Sequence, residues 1–434
     1  MYKVLLLPLL AFMVFNGCST HSASETAVSQ QKEPMYVDEN TLVLFAFDAQ
    51  NRNNSAEAVG YFDLLYTKTE DEIYRDHAMS ALMKGRYYND VIGRLNDRRQ
   101  KGEELTEANL RYLIVALLAK KETDTAKTEA LGLVEKNPTE LNYLMLAEVY
   151  LAEHDHIKAL STLEEAYQLN YSEKALDKIA VIIYANMNNP YQAIARIEEH
   201  SQHLGYSLLL TKRLIAFYGD QKDEKGLLKN YPKLYELEPT EYNAGILIQL
   251  YWNAKKVPEL TQFLERTHSN DELLLKIYTS EKVFSKAITL SQKLYEETGE
   301  IDYLGQKAIY QYEAAENRGD KKLLDSVIGD LTKVVEVKEE GYYLNYLGYC
   351  MIEHDRNVSV GIDYVKRALA IEPDSGYFID SLAWGYYKQG ECQKADALMD
   401  RVVELLGADD PEVKAHRKAI NRCLSSTKKR KSKK

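Results

Sequence analysis

The chain has 434 residues, of which 45% are hydrophobic and 28% are charged, and its net charge is −11. This composition is typical of a folded protein, while 21 glycines and 9 prolines are few for a fold made of sheets and hairpins. Because six positive charges lie in the last seven residues, the rest of the chain is more acidic still and would repel nucleic acid.

The first twenty residues read MYKVLLLPLLAFMVFNGCST. One lysine precedes an apolar run of about a dozen residues, which is too short for a membrane span and indicates an export signal. The run ends in Phe-Asn-Gly-Cys, which resembles the lipobox of bacterial lipoproteins, where a small residue precedes the cysteine that is lipidated. The alternative is an ordinary secretory signal with an incidental cysteine.

The lipobox resemblance implies a signal peptide over residues 1–17 and a lipid on Cys18. Ser19 after the cysteine resembles the pattern that is sorted to the outer membrane of Gram-negative bacteria, so we expect the periplasmic face of that membrane. Residues 18–38 are polar and aperiodic, which predicts a disordered tether between the lipid and the folded part.

From residue 39 onward, small and large apolar residues recur in a fixed order. Steps of three and four residues mark one face of a helix, and a step of nine crosses a tight turn to a second helix. One copy of the pattern consists of Tyr143, Ala147, Tyr150, Ala159, Leu163 and Ala166. Copies at intervals near 34 residues predict eleven helix pairs over residues 39–407.

A 34-residue helix-turn-helix unit with small residues at its eighth and twentieth positions resembles the tetratricopeptide repeat. The best matches are LNYLGYCMIEHDRNVSVGIDYVKRALAIEP and FIDSLAWGYYKQGECQKADALMDRVVE. The family's tryptophan at the first position is missing, and its closing proline is clear only at Pro138, Pro239 and Pro373. The resemblance implies an all-α fold, a right-handed α-solenoid superhelix of about eleven helix pairs.

The segment PEVKAHRKAINRC reads as one more amphipathic helix, with a proline near its start. We expect a capping helix within residues 408–424, because a terminal repeat must hide an apolar face that has no neighbour. Residues 425–434 are predicted to be a basic disordered tail, with contact to anionic polymer or lipid of the cell envelope as the sharper alternative.

The stretch GYFIDSLAWGYYKQG presents two helical faces. Ile379, Leu382, Ala383 and Tyr386 lie on the face predicted to pack inside the array. The resemblance places the second face in the concave groove of such solenoids, which gives a predicted partner-binding groove of Tyr342, Asn345, Tyr349, Tyr377, Asp380, Trp384 and Tyr387. The alternative is that the solenoid itself covers these aromatic side chains.

Three cysteines remain besides the predicted lipidation site. Cys350 falls inside a first helix and should be a buried free thiol. Cys392 lies at the start of the second helix of the last pair, and Cys423 lies at the end of the capping helix. Antiparallel packing of these two helices would bring both cysteines to the same end of the packed helices. An export signal permits oxidation, which predicts a disulfide, with two unpaired core cysteines as the alternative.

Motifs of common catalytic sites do not occur in the sequence: there is no glycine-rich phosphate loop, GxSxG, HExxH or CxxC. The most site-like cluster is Glu153-His154-Asp155-His156, which falls in a predicted turn, where polar residues are common. We therefore expect no enzyme activity, no cofactor and no metal site.

The predicted function is that of a non-catalytic envelope lipoprotein, a scaffold that binds other proteins in its concave groove. Its length, lipobox and repeats resemble the lipoprotein adaptors that bring carboxyl-terminal processing proteases to cell-wall hydrolases. Alternatives are peptidoglycan binding, with Trp384 and the groove tyrosines stacking on sugars, and a role in pilus, secretion or outer-membrane assembly.

Overall fold

The computed structural model describes residues 38–431, which form helices and no β-strand. They divide into two compact units, one up to Leu250 and the other from Tyr251. The predicted signal peptide, Cys18 and all of the predicted tether except its last residue lie outside the described residues. Within residues 38–431 no helix is both long and apolar enough to cross a membrane.

Twelve helices lie wholly within the first unit and form six consecutive pairs. They are α1 (Glu39–Asn51), α2 (Ser55–Thr69), α3 (Glu72–Lys84), α4 (Tyr88–Gln100), α5 (Glu107–Ala119), α6 (Thr123–Lys136), α7 (Glu140–Ala152), α8 (His156–Asn170), α9 (Glu173–Val181), α10 (Pro190–Leu204), α11 (Leu208–Asp220) and α12 (Glu224–Leu237). A π-helical turn, Ile182–Asn186, continues α9. The next helix, α13 (Glu241–Asn253), contains the boundary between the units.

The second unit contains the remaining helices. They are α14 (Val257–Thr267), α15 (Asp271–Ser280), α16 (Phe284–Thr298), α17 (Ile301–Ala314), α18 (Lys321–Val337), α19 (Gly341–Glu353), α20 (Val358–Ile371), α21 (Gly376–Lys388), α22 (Cys392–Leu406) and α23 (Pro411–Lys431). The all-α solenoid predicted from the sequence is confirmed, with helix pairs that follow one another in chain order within each unit. The last helix, α23, continues past residue 424 to Lys431, where a disordered tail was expected.

Hydroxyl and amide side chains explain where many of the first helices, meaning the first helix of each pair, begin. Thr106, Thr139 and Ser207 each accept a hydrogen bond from a backbone N–H in the first turn of their helix. Asn142, the third residue of α7, is fully buried and donates from Nδ2 to the carbonyl of Asn137 over 2.8 Å. The capped start therefore also fastens the helix to the loop before it.

A left-handed residue makes the turn inside a pair. Between α5 and α6, Lys121 has φ 64°, and the N–H of Glu122 donates to the carbonyl of Leu117 over 2.9 Å. Between α7 and α8, His154 has φ 61°, and Asp155 donates to Tyr150 over 2.8 Å. This bond from the sixth residue back to the first is the Schellman pattern, which ends one helix within three residues of the next.

Small residues let the two helices of a pair approach closely, as the repeat pattern predicted. Ala147 and Ala159, at the eighth and twentieth positions of their pair, are both fully buried. In the pair α19 and α20, a Cβ atom on Gly348 would lie only 2.6 Å from the carbonyl oxygen of Gly361. At this contact only glycine fits.

The hydrophobic core follows the stack of helices. In the first unit one continuous cluster runs from Leu42 in α1 to Tyr218 in α11. In the second unit the C-terminal cluster joins three helices, with Ile379 and Ala383 from α21, and its other buried members are Ala395, Met399, Val402, Val413 and Ile420. The inward face predicted for α21 is confirmed for Ile379, Leu382 and Ala383, which are buried.

Candidate partner-binding surface

An exposed apolar side chain recurs at the second position of the first helices. In the first unit these side chains are Ile73, Leu141, Leu209 and Tyr242. In the second unit they are Tyr342 on α19 and Tyr377 on α21, which are 51% and 65% exposed. We call these six side chains the second-position residues. Large apolar side chains that stay in water at the same position of several repeats are typical of a surface that meets a partner.

The α19 part of the predicted groove changes from exposed to covered along the helix. Tyr342 is open to solvent and packs edge-on against Tyr343. One turn on, Asn345 is half-buried, and its Oδ1 has no hydrogen-bond partner among the described residues. After another turn the hydroxyl of Tyr349 donates to Glu412 of α23 over 2.8 Å. Burial first, and the Glu412 carboxylate second, raise the pKa of Tyr349.

Asp380 of α21 is not an open groove residue. Its side chain is buried, and its Oδ2 lies 2.8 Å from Nδ1 of His416, which is also buried. His416 belongs to α23. A polar residue on the groove face of α21 therefore contacts the C-terminal helix of the same chain.

Trp384 is held by three neighbours. The ring of His416 stacks on its indole with centroids 4.0 Å apart, and the ring of Tyr387 stacks with centroids 4.6 Å apart. Its indole N–H donates to Oε2 of Glu353 over 2.5 Å. Three of the five aromatic residues of the predicted groove, Tyr349, Trp384 and Tyr387, thus contact other side chains of the same chain.

The helix α23 is fixed at its start and past its middle. Asp410 caps its start by accepting from the N–H groups of Glu412 and Val413, and Pro411 occupies its first position. At its thirteenth residue, Cys423, a disulfide joins it to Cys392, with Cα atoms 5.9 Å apart. Cys350 is a buried free thiol.

These contacts correct the predicted groove. Tyr342 and Tyr377 face solvent, whereas α23 contacts Tyr349, Asp380 and Trp384 directly. Trp384, the tryptophan of the peptidoglycan alternative, is thus half-buried, whereas the tyrosines Tyr342 and Tyr377 of that alternative are exposed. Cover of these side chains by the chain itself was the alternative interpretation of the sequence, but the sequence did not indicate that α23 would provide it.

Of the second-position residues, only Tyr342 and Tyr377 were among the binding residues predicted from the sequence. Part of the signal of the others was present in the sequence, because Ile73, Leu141 and Leu209 lie at intervals of two repeats. Their shared position with Tyr342 and Tyr377 follows only from where the helices begin in the structure. An apolar residue at that position looks like ordinary core until exposure is known, since it adjoins the buried stripe of the helix.

The cluster Glu153-His154-Asp155-His156 serves the turn between α7 and α8. Glu153 pairs with Lys127 over 2.9 Å, and Asp155 caps α8 by accepting from the N–H of Lys158. His154 adopts the left-handed turn conformation. The side chains therefore have separate structural roles.

Comparison with known proteins gives similarity to other helical proteins only. No protein-family model matches the sequence, and no curated protein matches it. Solved structures that match include the Naa15/Naa10 complex bound to HypK-THB, at 16% identity and a TM-score of 0.36, covering 89% of this chain and 61% of that one. The chain thus spans less than two thirds of that protein.

Two further matches cover nearly all of the compared chains. The Cut9-Hcn1 hetero-tetramer of the APC/C has 10% identity and a TM-score of 0.42, with 90% of this chain and 97% of that one covered. Yeast Tom70 has 13% identity and a TM-score of 0.32, with 91% and 96% covered. Likeness at this level says nothing about partners, so the functional argument depends on the surface of this chain.

Proposed function

We propose that this protein is a non-catalytic scaffold that binds other proteins through Tyr342 and Tyr377, the second-position residues of its second unit. The observation that carries the proposal is the exposure of Tyr342 and Tyr377 at equivalent positions on adjacent first helices. Tyrosine provides a large, rigid contact area with little loss of conformational entropy, which suits it to binding surfaces. A solenoid supplies such a surface over many repeats.

The finer proposal is an envelope lipoprotein, lipidated on Cys18 and held at the periplasmic face of the bacterial outer membrane. Its partners would be a carboxyl-terminal processing protease and the cell-wall hydrolases that this protease degrades. Support comes from the lipobox-like Phe-Asn-Gly-Cys sequence and from the disulfide, since disulfides persist in oxidising compartments. A role in pilus, secretion or outer-membrane assembly is the alternative.

Site-specific photocrosslinking in cells tests the surface. A photoreactive amino acid at position 342 or 377 should capture the same protein, and the double variant Tyr342→Ala/Tyr377→Ala should recover much less of it in a pull-down. The matched control is Tyr191, which is 82% exposed but lies on the second helix α10. Equal crosslinking at position 191, or undiminished recovery by the double variant, would contradict the surface assignment.

The identity of the captured proteins tests the finer proposal. A protease together with cell-wall hydrolases supports the adaptor, whereas a secretin or a barrel-assembly component supports the alternatives. The lipid anchor has its own test, because Cys18→Ser should leave a protein that takes up no palmitate analogue and no longer fractionates with membrane.

A further inference from the structure

Three metal-ligating side chains converge where α23 crosses α21. They are Asp380 of α21 and Glu412 and His416 of α23, and one ligand atom from each lies within 4.8 Å of the other two. Glu412 and His416 are four residues apart, so they project from the same face of α23. Two helices thus supply two carboxylates and one imidazole to one point.

A second observation points to a cation at this place. Asp380 is only 6% exposed, yet its Oδ1 has no hydrogen-bond partner among the described residues. A buried carboxylate oxygen that lacks a partner is costly, and such groups are normally paired or coordinate a metal ion. The hydrogen bond from His416 satisfies only the other oxygen, Oδ2.

The surrounding residues hold the three side chains in place. The hydroxyl of Tyr349 donates to Glu412, and the indole of Trp384 stacks on the ring of His416 at an interplanar angle of 13°. Outer contacts of this kind fix the orientation of ligands in metal sites. Glu412 itself is exposed, so water can reach the point between the three ligands.

We propose that Asp380, Glu412 and His416 bind a divalent transition-metal cation of the zinc class. An imidazole nitrogen selects such cations over magnesium and calcium, which prefer oxygen ligands alone, and water completes the usual four ligands. The cation takes the place of the hydrogen on Nδ1 of His416 that faces Oδ2 of Asp380. That proton moves through water to Nε2, so the metal-bound ring stays neutral. The bound ion fastens α23 to α21, independently of any partner.

The test is zinc binding by the full-length protein after treatment with a chelator. Calorimetric titration with zinc chloride should show one site per chain, and magnesium chloride should show none. Glu412→Gln changes an exposed side chain and keeps an acceptor for Tyr349, so the protein should fold while its zinc affinity falls at least tenfold. Asp380→Asn should weaken zinc binding by at least the same factor.

Cobalt substitution gives a spectroscopic signal that would not change if the three side chains only stabilised the fold. The cobalt-loaded protein should show visible d–d absorption that disappears in Glu412→Gln and persists in His156→Gln, a control in the turn before α8. Absence of zinc binding at about 0.1 mM, or unchanged affinity in Glu412→Gln, overturns the proposal.

Discussion

The imidazole of His416 lies flat on the indole of Trp384, with ring centroids 4.0 Å apart. The first belongs to the C-terminal helix and the second to the groove face of α21. This stack joins the end of the chain to the face that the sequence predicted to be open. Its contribution to stability can be measured directly.

We expect Trp384→Ala to lower the free energy of unfolding by about 1–3 kcal/mol, because a half-buried aromatic ring loses its stacking partners and leaves space behind. The measurement is urea unfolding followed by circular dichroism. The matched control is Trp252→Ala, which removes an indole that is 56% exposed and should cost at most about 0.5 kcal/mol. Equal effects of the two variants would contradict the packed position of Trp384.

The disulfide predicts a specific pattern of thiol reactivity. Mass spectrometry of a non-reduced digest should recover the Cys392 and Cys423 peptides linked, and reduction should destabilise the protein by about 3–4 kcal/mol for a loop of this size. Cys350 should resist alkylation in the native protein at neutral pH, because burial raises the pKa of its thiol to about 12. Free thiols at both Cys392 and Cys423 would rule the bridge out.

The contact between α19 and α20 predicts a clear difference between two glycines. Gly348→Ala should destabilise by about 1–3 kcal/mol, since the new Cβ would clash with the Gly361 carbonyl oxygen. Gly329→Ala in α18 is the control: its Cβ would meet nothing within 4 Å, so the change should stabilise by about 0.5–1 kcal/mol. A neutral Gly348→Ala measured by thermal unfolding would show that the helices can move apart.

Acidification should destabilise the protein through His354. Burial lowers the pKa of this ring, whose Nε2 lies 2.9 Å from the hydroxyl of Tyr312. Below the ordinary histidine pKa of about 6.5 the unfolded chain binds a proton that the folded ring resists. The contribution of His354 to the free energy of unfolding therefore falls as the pH drops below about 6.5 and is unchanged above that pH.

The measurement is the free energy of unfolding at pH 7.5 and at pH 5. His354→Gln should reduce the loss of stability on acidification, whereas His203→Gln, which changes an exposed ring, should not. An identical pH dependence in wild type and His354→Gln would contradict the effect of burial.

Local periodicity predicted most of the helix pairs because each pair depends on contacts that are close in sequence. It failed where the connection within a pair changes. In the sequence, one copy of the repeat pattern fits with Ala308 at the position that Tyr143 has in its own copy, the fourth of the helix. The structure begins α17 at Ile301, which makes Ala308 the eighth residue. The link from α17 to α18 is a longer, partly extended loop that starts at Ala315, so the 34-residue interval no longer applies.

The repeat pattern also did not predict one extra residue in the pair that begins with α9. From the cap Thr139 to the left-handed His154 there are fifteen steps, and from Ser172 to Asn188 there are sixteen. The π-helical turn that continues α9 accommodates this residue, and single insertions into helices commonly form such turns.

Contact between Asp380 and His416 could not be predicted either, because it depends on how α23 crosses α21.

Within each unit, helices pack chiefly against their nearest neighbours in the chain. Such a stack can open in steps, one pair after another from a terminus, rather than all at once. The C-terminal pair is an exception, because a covalent link between α22 and α23 and a buried acid–imidazole contact between α21 and α23 must both be lost before it frays. Amide hydrogen exchange should therefore be slower in α21 and α22 than in α1 and α2, and a reducing agent should remove much of that difference.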